Sequence, residues 1–136
     1  MAINNPSILS HNAVTLLGSV DSINMETEEE NTIYTVPPGK VMVPHFIILR
    51  NNTGSYATCV VTAGQSTAVT DFLGSHTLTN ITTTGACVIL RPIPHTTPAA
   101  ELIQYTAGEA FNIDVATGAG QACVSTVELY GTLDDA

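Results

Sequence analysis

The chain has 136 residues, which is the size of one ordinary domain and is long enough to bury a hydrophobic core. Hydrophobic residues make up 44% of it but charged residues only 11%, which is typical of β-proteins whose faces are covered by a second sheet or by neighbouring subunits. Twelve carboxylates stand against three cationic side chains, Lys40, Arg50 and Arg91, so the sequence argues against binding to nucleic acid or to anionic membranes.

Residues 1–12 predict an extended N-terminal arm, followed by a single domain at 13–136. Pro6 lies in a turn-prone stretch, and the arm contributes little to a core. Its isolated apolar residues are Ile3, Ile8 and Leu9. A segment of this kind gains its structure by lying along a partner, so we expect the three residues to form a contact arm. The arm has neither the basic start nor the apolar centre of a signal peptide, which favours synthesis and use without export.

The next segment predicts a first strand at Ala13–Val20 and then an acidic loop at Asp21–Asn31. Four glutamates fall in this loop: Glu26, Glu28, Glu29 and Glu30. A solvated loop is the simplest interpretation of such a run. A calcium or partner site is the alternative, although the Asp-x-Asp-x-Asp-Gly pattern of a calcium loop is absent from the sequence.

The stretch Ile33–Gly54 reads IYTVPPGKVMVPHFIILRNNTG and predicts strand, turn, strand, turn. The tandem prolines Pro37 and Pro38 fix φ and remove two backbone donors, and Gly39 permits a positive φ for the reversal. The Asn-Asn-Thr-Gly sequence at 51–54 is likewise typical of a turn, and another apolar run resumes at Tyr56. Consecutive strands joined in this way indicate an antiparallel sheet.

This sequence pattern resembles small β-sandwich structural proteins of tailed bacteriophages, especially head decoration (cement) proteins. The pattern is Y-T-V-P-x-G-K followed by an apolar strand, N-N-T-G and another apolar strand. The resemblance is good over residues 32–62, and over the rest of the chain it extends only to the general character of the sequence. Together with the predicted arm and the strand count given below, it favours an all-β chain folded as an antiparallel β-sandwich, of jelly-roll form, with an extended N-terminal arm.

The remaining segments predict further strands, for a total of nine or ten with almost no helix. The expected strands are Thr67–Leu73, His76–Ile81, Ala86–Arg91, Leu102–Tyr105, Ala110–Val115 and Ala122–Leu133. Four runs are expected to form the core: Val41–Leu49, Cys59–Val61, Cys87–Leu90 and Phe111–Val115. Replacement of Ile89 by Asp would then bury an unpaired charge and unfold the protein.

Three cysteines, Cys59, Cys87 and Cys123, are an odd number within apolar runs, so we interpret them as buried free thiols rather than a disulfide set or a zinc site. Four histidines lie far apart in the sequence: His11, His45, His76 and His95. They form no local metal motif, so neither a metal nor another cofactor is expected.

Catalysis is not expected either. The segment that begins at Gly64-Gln65-Ser66 lacks the closing glycine of a nucleophile elbow, and the one that begins at Gly118 lacks the third glycine of a dinucleotide fingerprint, so both are interpreted as turns. Folding could still bring carboxylates together for glycoside cleavage; the candidates are Glu101, Glu109, Asp114 and Glu128. The chain has no Trp and few aromatic residues, which disfavours a sugar cleft.

The resemblance therefore implies a non-enzymatic virion protein, made in the host cytoplasm and placed on the outer surface of the capsid. It would bind the phage head as a decoration or cement protein, form a homotrimer and bridge subunits of the major capsid protein, without nucleic acid, membrane or cofactor. The alternative is a tail-fibre or receptor-binding module that contacts a host glycan or protein. A metal-dependent or sugar-cleaving jelly-roll enzyme is a third class.

Overall fold

The computed structural model describes residues 13–92 and 103–136, and these residues form nine β-strands. The strands are β1 (Thr15–Asn24), β2 (Glu29–Thr35), β3 (Lys40–Arg50), β4 (Val60–Gln65), β5 (Ala68–Thr77), β6 (Val88–Leu90), β7 (Tyr105–Thr106), β8 (Ala110–Thr117) and β9 (Val124–Asp135). The predicted arm at 1–12 lies outside the described residues, as do His95 and Glu101.

The strands form two antiparallel sheets that pack face to face. The first sheet has the order β1-β9-β3-β6, with β7 also paired to β3, and the second has the order β2-β8-β4-β5. Alternate residues of both sheets point inward and build one core, which includes Ile47, Leu49, Ile113 and Leu129. The predicted all-β antiparallel sandwich is confirmed, and the described residues contain no helix that could span a membrane.

The reversal between β2 and β3 lies where the tandem prolines predict it. Gly39 has a φ of +76°, and the Lys40 amide donates a hydrogen bond to the Pro37 carbonyl oxygen at 3.3 Å. The second predicted turn begins at Asn51, which also has a positive φ of 56°. Asn tolerates this left-handed conformation better than most residues. Both ends of β3 are therefore set by local sequence.

Pro44 lies inside the central strand β3, where a proline would normally remove a ladder hydrogen bond. The β3–β9 register shifts between Pro44 and Phe46, and the opposite edge of β3 is paired by β7 at Val41 and Met42 and by β6 from Ile47 onward. Pro44 thus falls at a bulge on one side and between two short strands on the other. The strand accommodates the proline because neither neighbour needs its missing donor.

The first two strands differ from the sequence prediction. β1 continues to Asn24 instead of ending at Val20, and β2 already begins at Glu29, so the predicted loop at 21–31 is reduced to the short connection 25–28. The polar residues of this segment lie on edge strands, where side chains face solvent and do not need to be apolar. The prediction of a long acidic loop was therefore wrong.

Later boundaries differ as well. The segments predicted as separate strands at Thr67–Leu73 and His76–Ile81 form one strand, β5, which ends at Thr77, and the predicted strand at Leu102–Tyr105 corresponds to the two-residue β7. Gly74, which predicted a turn between those two segments, lies within β5, whereas Gly85 lies in a turn before β6 as its sequence predicts. The segments at Gly64 and Gly118 follow the prediction, since one enters the β4–β5 hairpin and the other the β8–β9 turn.

Three aromatic rings from both sheets pack against one another inside the sandwich. Phe111 meets Phe72 edge-on with ring centroids 5.2 Å apart, and its centroid is 5.9 Å from that of Tyr105. The Tyr105 hydroxyl donates to Asp71 Oδ1 at 2.8 Å, and the Gln65 amide donates to the same oxygen. Burial and the Asp71 carboxylate raise the pKa of Tyr105, so the phenol stays neutral and links the two sheets.

Candidate contact surface

The outer face of the first sheet carries large apolar side chains. Because directly paired residues share a face, the register places Leu16, Tyr130 and Phe46 in one row across β1, β9 and β3. Ile48 and Ile89 form the adjoining pair on β3 and β6. We call these five residues the apolar face.

Solvent reaches much of the apolar face. Leu16 is 48% exposed and Ile89 is 50% exposed, and Val14, just ahead of β1, is 45% exposed. The rings of Phe46 and Tyr130 stack with centroids 4.9 Å apart and planes inclined by 15°, which fixes the centre of the surface. A contiguous exposed apolar patch is uncommon on a monomer and marks an interaction site.

The charges beside the apolar face neutralise each other. Arg50 Nε donates to Glu128 Oε1 at 2.7 Å and Nη2 donates to Oε2 at 3.3 Å, so the pair is bidentate. The hydrogen bond with Glu128 raises the pKa of Arg50, which stays cationic in any case. Nearby, the Thr126 hydroxyl donates to Asp21 Oδ1 at 3.0 Å. A partner that covers this face would therefore meet Arg50 already paired with Glu128.

A buried polar network holds the loops beside β6. The Tyr56 hydroxyl donates to Asn52 Oδ1 at 2.6 Å and lies 3.1 Å from Ser125 Oγ. Asn52 Nδ2 in turn donates to the carbonyl oxygen of Ala86, two residues before β6. Burial raises the pKa of Tyr56 to about 12, so its proton remains available to the network. The network therefore positions the strand that presents Ile89.

Two core predictions at β6, the edge strand beside β3, were wrong. Ile89 was expected in the core, and its replacement by Asp was expected to unfold the protein, but the residue points outward beside Ile48 and is half exposed. Cys87 was expected to be buried, but it precedes β6 and is exposed. In the three-residue β6, alternation turns Ile89 outward while its neighbour Leu90 stays inside.

The remaining thiols follow the prediction, since Cys59 and Cys123 are buried and free. Burial raises the pKa of Cys59 to about 11 and also raises that of Cys123.

We therefore expect a thiol reagent at pH 8 to label Cys87 rapidly, and to label Cys59 at least about 100-fold more slowly because so little thiolate is present. Mass spectrometry of native protein after timed labelling measures this, with denatured protein as the control. Labelling of Cys59 as fast as Cys87 would contradict the burial of that thiol.

The carboxylates predicted as candidates for glycoside cleavage do not come together within the described residues. Asp114 and Glu128 lie on the outer faces of different sheets, whereas Glu109 accepts a hydrogen bond from the Thr106 amide in the turn before β8. No group of three or more His, Cys, Asp or Glu side chains within 13–92 and 103–136 is arranged to hold a metal ion. His45 lies at the bulge of β3, apart from any such group in this part of the chain.

No protein-family model matches the chain, and no curated protein sequence matches it. Among solved structures, it is similar to a chain of the structure described as "Cyanophage Pam1 capsid asymmetric unit". The similarity has a TM-score of 0.50 with 17% sequence identity and covers 88% of this chain and 84% of that chain. At this level of identity, the two chains share a fold.

The continuous apolar run of β3 contained a signal for the apolar face. A strand with only one buried face alternates, whereas Val41–Leu49 is apolar at nearly every position, which indicates that both faces are covered. Met42, Ile47 and Leu49 face the core, and Phe46 and Ile48 face outward. The partners Leu16 and Tyr130 could not be found in this way, because register between distant strands is not visible in local sequence.

Proposed function

We propose that this chain is a non-enzymatic virion structural protein, a decoration or cement protein that binds the outer surface of a phage head and bridges major capsid subunits. The observation that carries the proposal is the apolar face, an exposed surface fit for a partner protein. The fold shared with a chain of a cyanophage capsid structure supports the same role. In this role the protein acts through contact with its neighbours, because burial of apolar area between proteins stabilises the shell.

The strand order supports the jelly-roll form within this proposal. Two four-stranded layers with the orders β1-β9-β3-β6 and β2-β8-β4-β5 are what two Greek-key units produce when eight strands fold into a double sheet. The short β7 is an addition at the edge of β3. Such a sandwich presents one broad outer face per sheet, which suits a protein that lies flat on a surface.

The N-terminal arm extends the proposed contact. Ile3, Ile8 and Leu9 lie outside the described residues, but the arm joins the domain next to Val14, at the same edge as Leu16. Twelve residues reach about 40 Å when extended, enough to reach an adjacent capsid subunit. We further propose a homotrimer, because closed cyclic assembly is a common solution for a chain with few surface charges.

Adding purified protein back to capsids that lack it tests the proposed function. We expect Ile89→Ser to leave the protein folded, since the side chain is half exposed, and to reduce capsid occupancy several-fold. Deletion of residues 2–12 is expected to do the same. Val69→Ser, a half-buried position on β5 of the other sheet, is the matched control and should bind as wild type.

Occupancy is counted by electron microscopy of the reconstituted particles, and circular dichroism verifies that each variant is folded. Full occupancy by Ile89→Ser would remove the apolar face from the proposal, and full occupancy by the deletion would remove the arm. Failure of the wild-type protein to bind heads, together with binding to host cells, would favour the tail-fibre or receptor-binding alternative.

A further inference from the structure

The outer face of the second sheet brings two carboxylates into register. Glu30 on β2 is the direct partner of Asp114 on β8, and Asp114 is in turn the direct partner of Thr62 on β4. Directly opposite residues of neighbouring strands have Cβ atoms about 4.5–5.5 Å apart, and like charges at such positions repel each other. The strand pairing therefore places two negative charges together in a chain that already has a net charge of −9.

Asp114 shares its face of the second sheet with Glu30 and Thr62. Glu30 lies directly opposite on β2 and Glu28 lies just ahead of that strand, while Thr62 lies directly opposite on β4. A positive charge bound here would relieve the repulsion.

Two buried oxygen atoms beside these carboxylates make no hydrogen bond. Thr62 is 4% exposed and Asn112 is 5% exposed, and neither Thr62 Oγ1 nor Asn112 Oδ1 has a hydrogen-bond partner among the described residues. Asn112 lies two residues before Asp114 on the same face of β8, and its Nδ2 donates to Glu30 Oε1 at 2.6 Å. Buried polar atoms of this kind are nearly always satisfied, by protein, water or an ion.

We propose that Glu30, Asp114, Thr62 and Asn112 form a binding site for a divalent cation, with Ca²⁺ as the preferred ion. All four residues offer oxygen donors, which are the ligands of hard cations. Ca²⁺ accepts mixed carboxylate, hydroxyl and amide oxygens in flexible geometry, whereas Mg²⁺ demands a near-ideal octahedron. With two carboxylates the site belongs to the weak class, with a Kd of about 10⁻⁴–10⁻³ M. This site is on the sheet opposite the apolar face and does not depend on the proposed function.

Thermal unfolding in CaCl₂ and in NaCl of equal ionic strength tests the site. At a Ca²⁺ concentration of about ten times Kd, the ratio of folded to unfolded protein should rise about tenfold, which corresponds to an increase in Tm of about 3–5 °C for a chain of this size. Asp114→Asn and Glu30→Gln should each abolish most of this increase. In NaCl, Asp114→Asn should melt at or above the wild-type temperature because the repulsion is gone.

Glu29→Gln is the matched control, because Glu29 neighbours Glu30 on β2 but pairs with Val115 and therefore lies on the other face. It removes the same charge and should keep the full response to Ca²⁺. Titration calorimetry with CaCl₂ should show one saturable site in wild type and an affinity at least about tenfold weaker in Asp114→Asn. An equal Tm increase in wild type, Asp114→Asn and Glu30→Gln would indicate general screening and overturn the site, as would no increase in wild type.

Discussion

Phe111→Ala is expected to lower the free energy of unfolding by about 3–5 kcal/mol. Phe111 is fully buried near the start of β8, in contact with the rings of Phe72 and Tyr105 from the two sheets. Its removal deletes apolar contacts and leaves a cavity that neighbouring strands cannot close without breaking their ladders. Small domains have a total stability of about 5–15 kcal/mol, so the variant should melt far below wild type or fail to accumulate.

Guanidinium denaturation followed by circular dichroism measures this loss. Leu16→Ala is the control, since it removes a comparable apolar side chain that is half exposed, and it should change the free energy of unfolding by less than about 0.5 kcal/mol. A loss below about 1 kcal/mol for Phe111→Ala would mean that the two sheets do not close over this ring.

Gly131→Ala is expected to destabilise the protein by about 1–3 kcal/mol or more. Gly131 on β9 is the direct partner of Pro44 at the bulge of β3, and a Cβ at this position would lie 2.3 Å from the Val43 carbonyl oxygen and 3.0 Å from Pro44 Cα. Both contacts involve backbone atoms, which cannot rotate away. The central pair of the first sheet would therefore have to separate at the bulge.

Gly74→Ala is the matched control for this prediction. Gly74 also lies in a strand, β5, but a Cβ there would meet no atom within 4 Å, so the substitution should be neutral or stabilise by up to about 1 kcal/mol through the unfolded state. Calorimetric melting of both variants gives the comparison. Similar Tm values for Gly131→Ala and Gly74→Ala would show that β3 and β9 are not in close contact at the bulge.

Local sequence predicted the fold best where it contains prolines and glycines. The β2–β3 reversal follows from Pro37, Pro38 and Gly39, whose backbone restrictions act without help from distant residues. The prediction failed at β1, because an edge strand needs little apolar character and its extension to Asn24 is set by pairing with β9. Strand propensity depends on tertiary context, which local sequence does not contain.

The candidate surfaces were predictable in part. The apolar run of β3 indicated that both of its faces are covered, but the interpretation of Ile89 as a core residue ignored that a three-residue edge strand exposes its central side chain. The carboxylate pair on the second sheet was not predictable. Glu30 was interpreted as part of a solvated loop, and its position opposite Asp114 exists only once β2 pairs with β8.

The place of β9 in the first sheet has a consequence for biosynthesis. β9 spans Val124–Asp135 and lies between β1 and β3, so β1 has no partner among the other described strands of its sheet until β9 is made. A chain that grows at about 5–20 residues per second therefore leaves β1 unpaired, and β3 without its longest partner, for several seconds. Completion of this domain must follow release of residue 135 from the ribosomal tunnel, and unpaired apolar strands make nascent chains candidates for chaperone binding in the meantime.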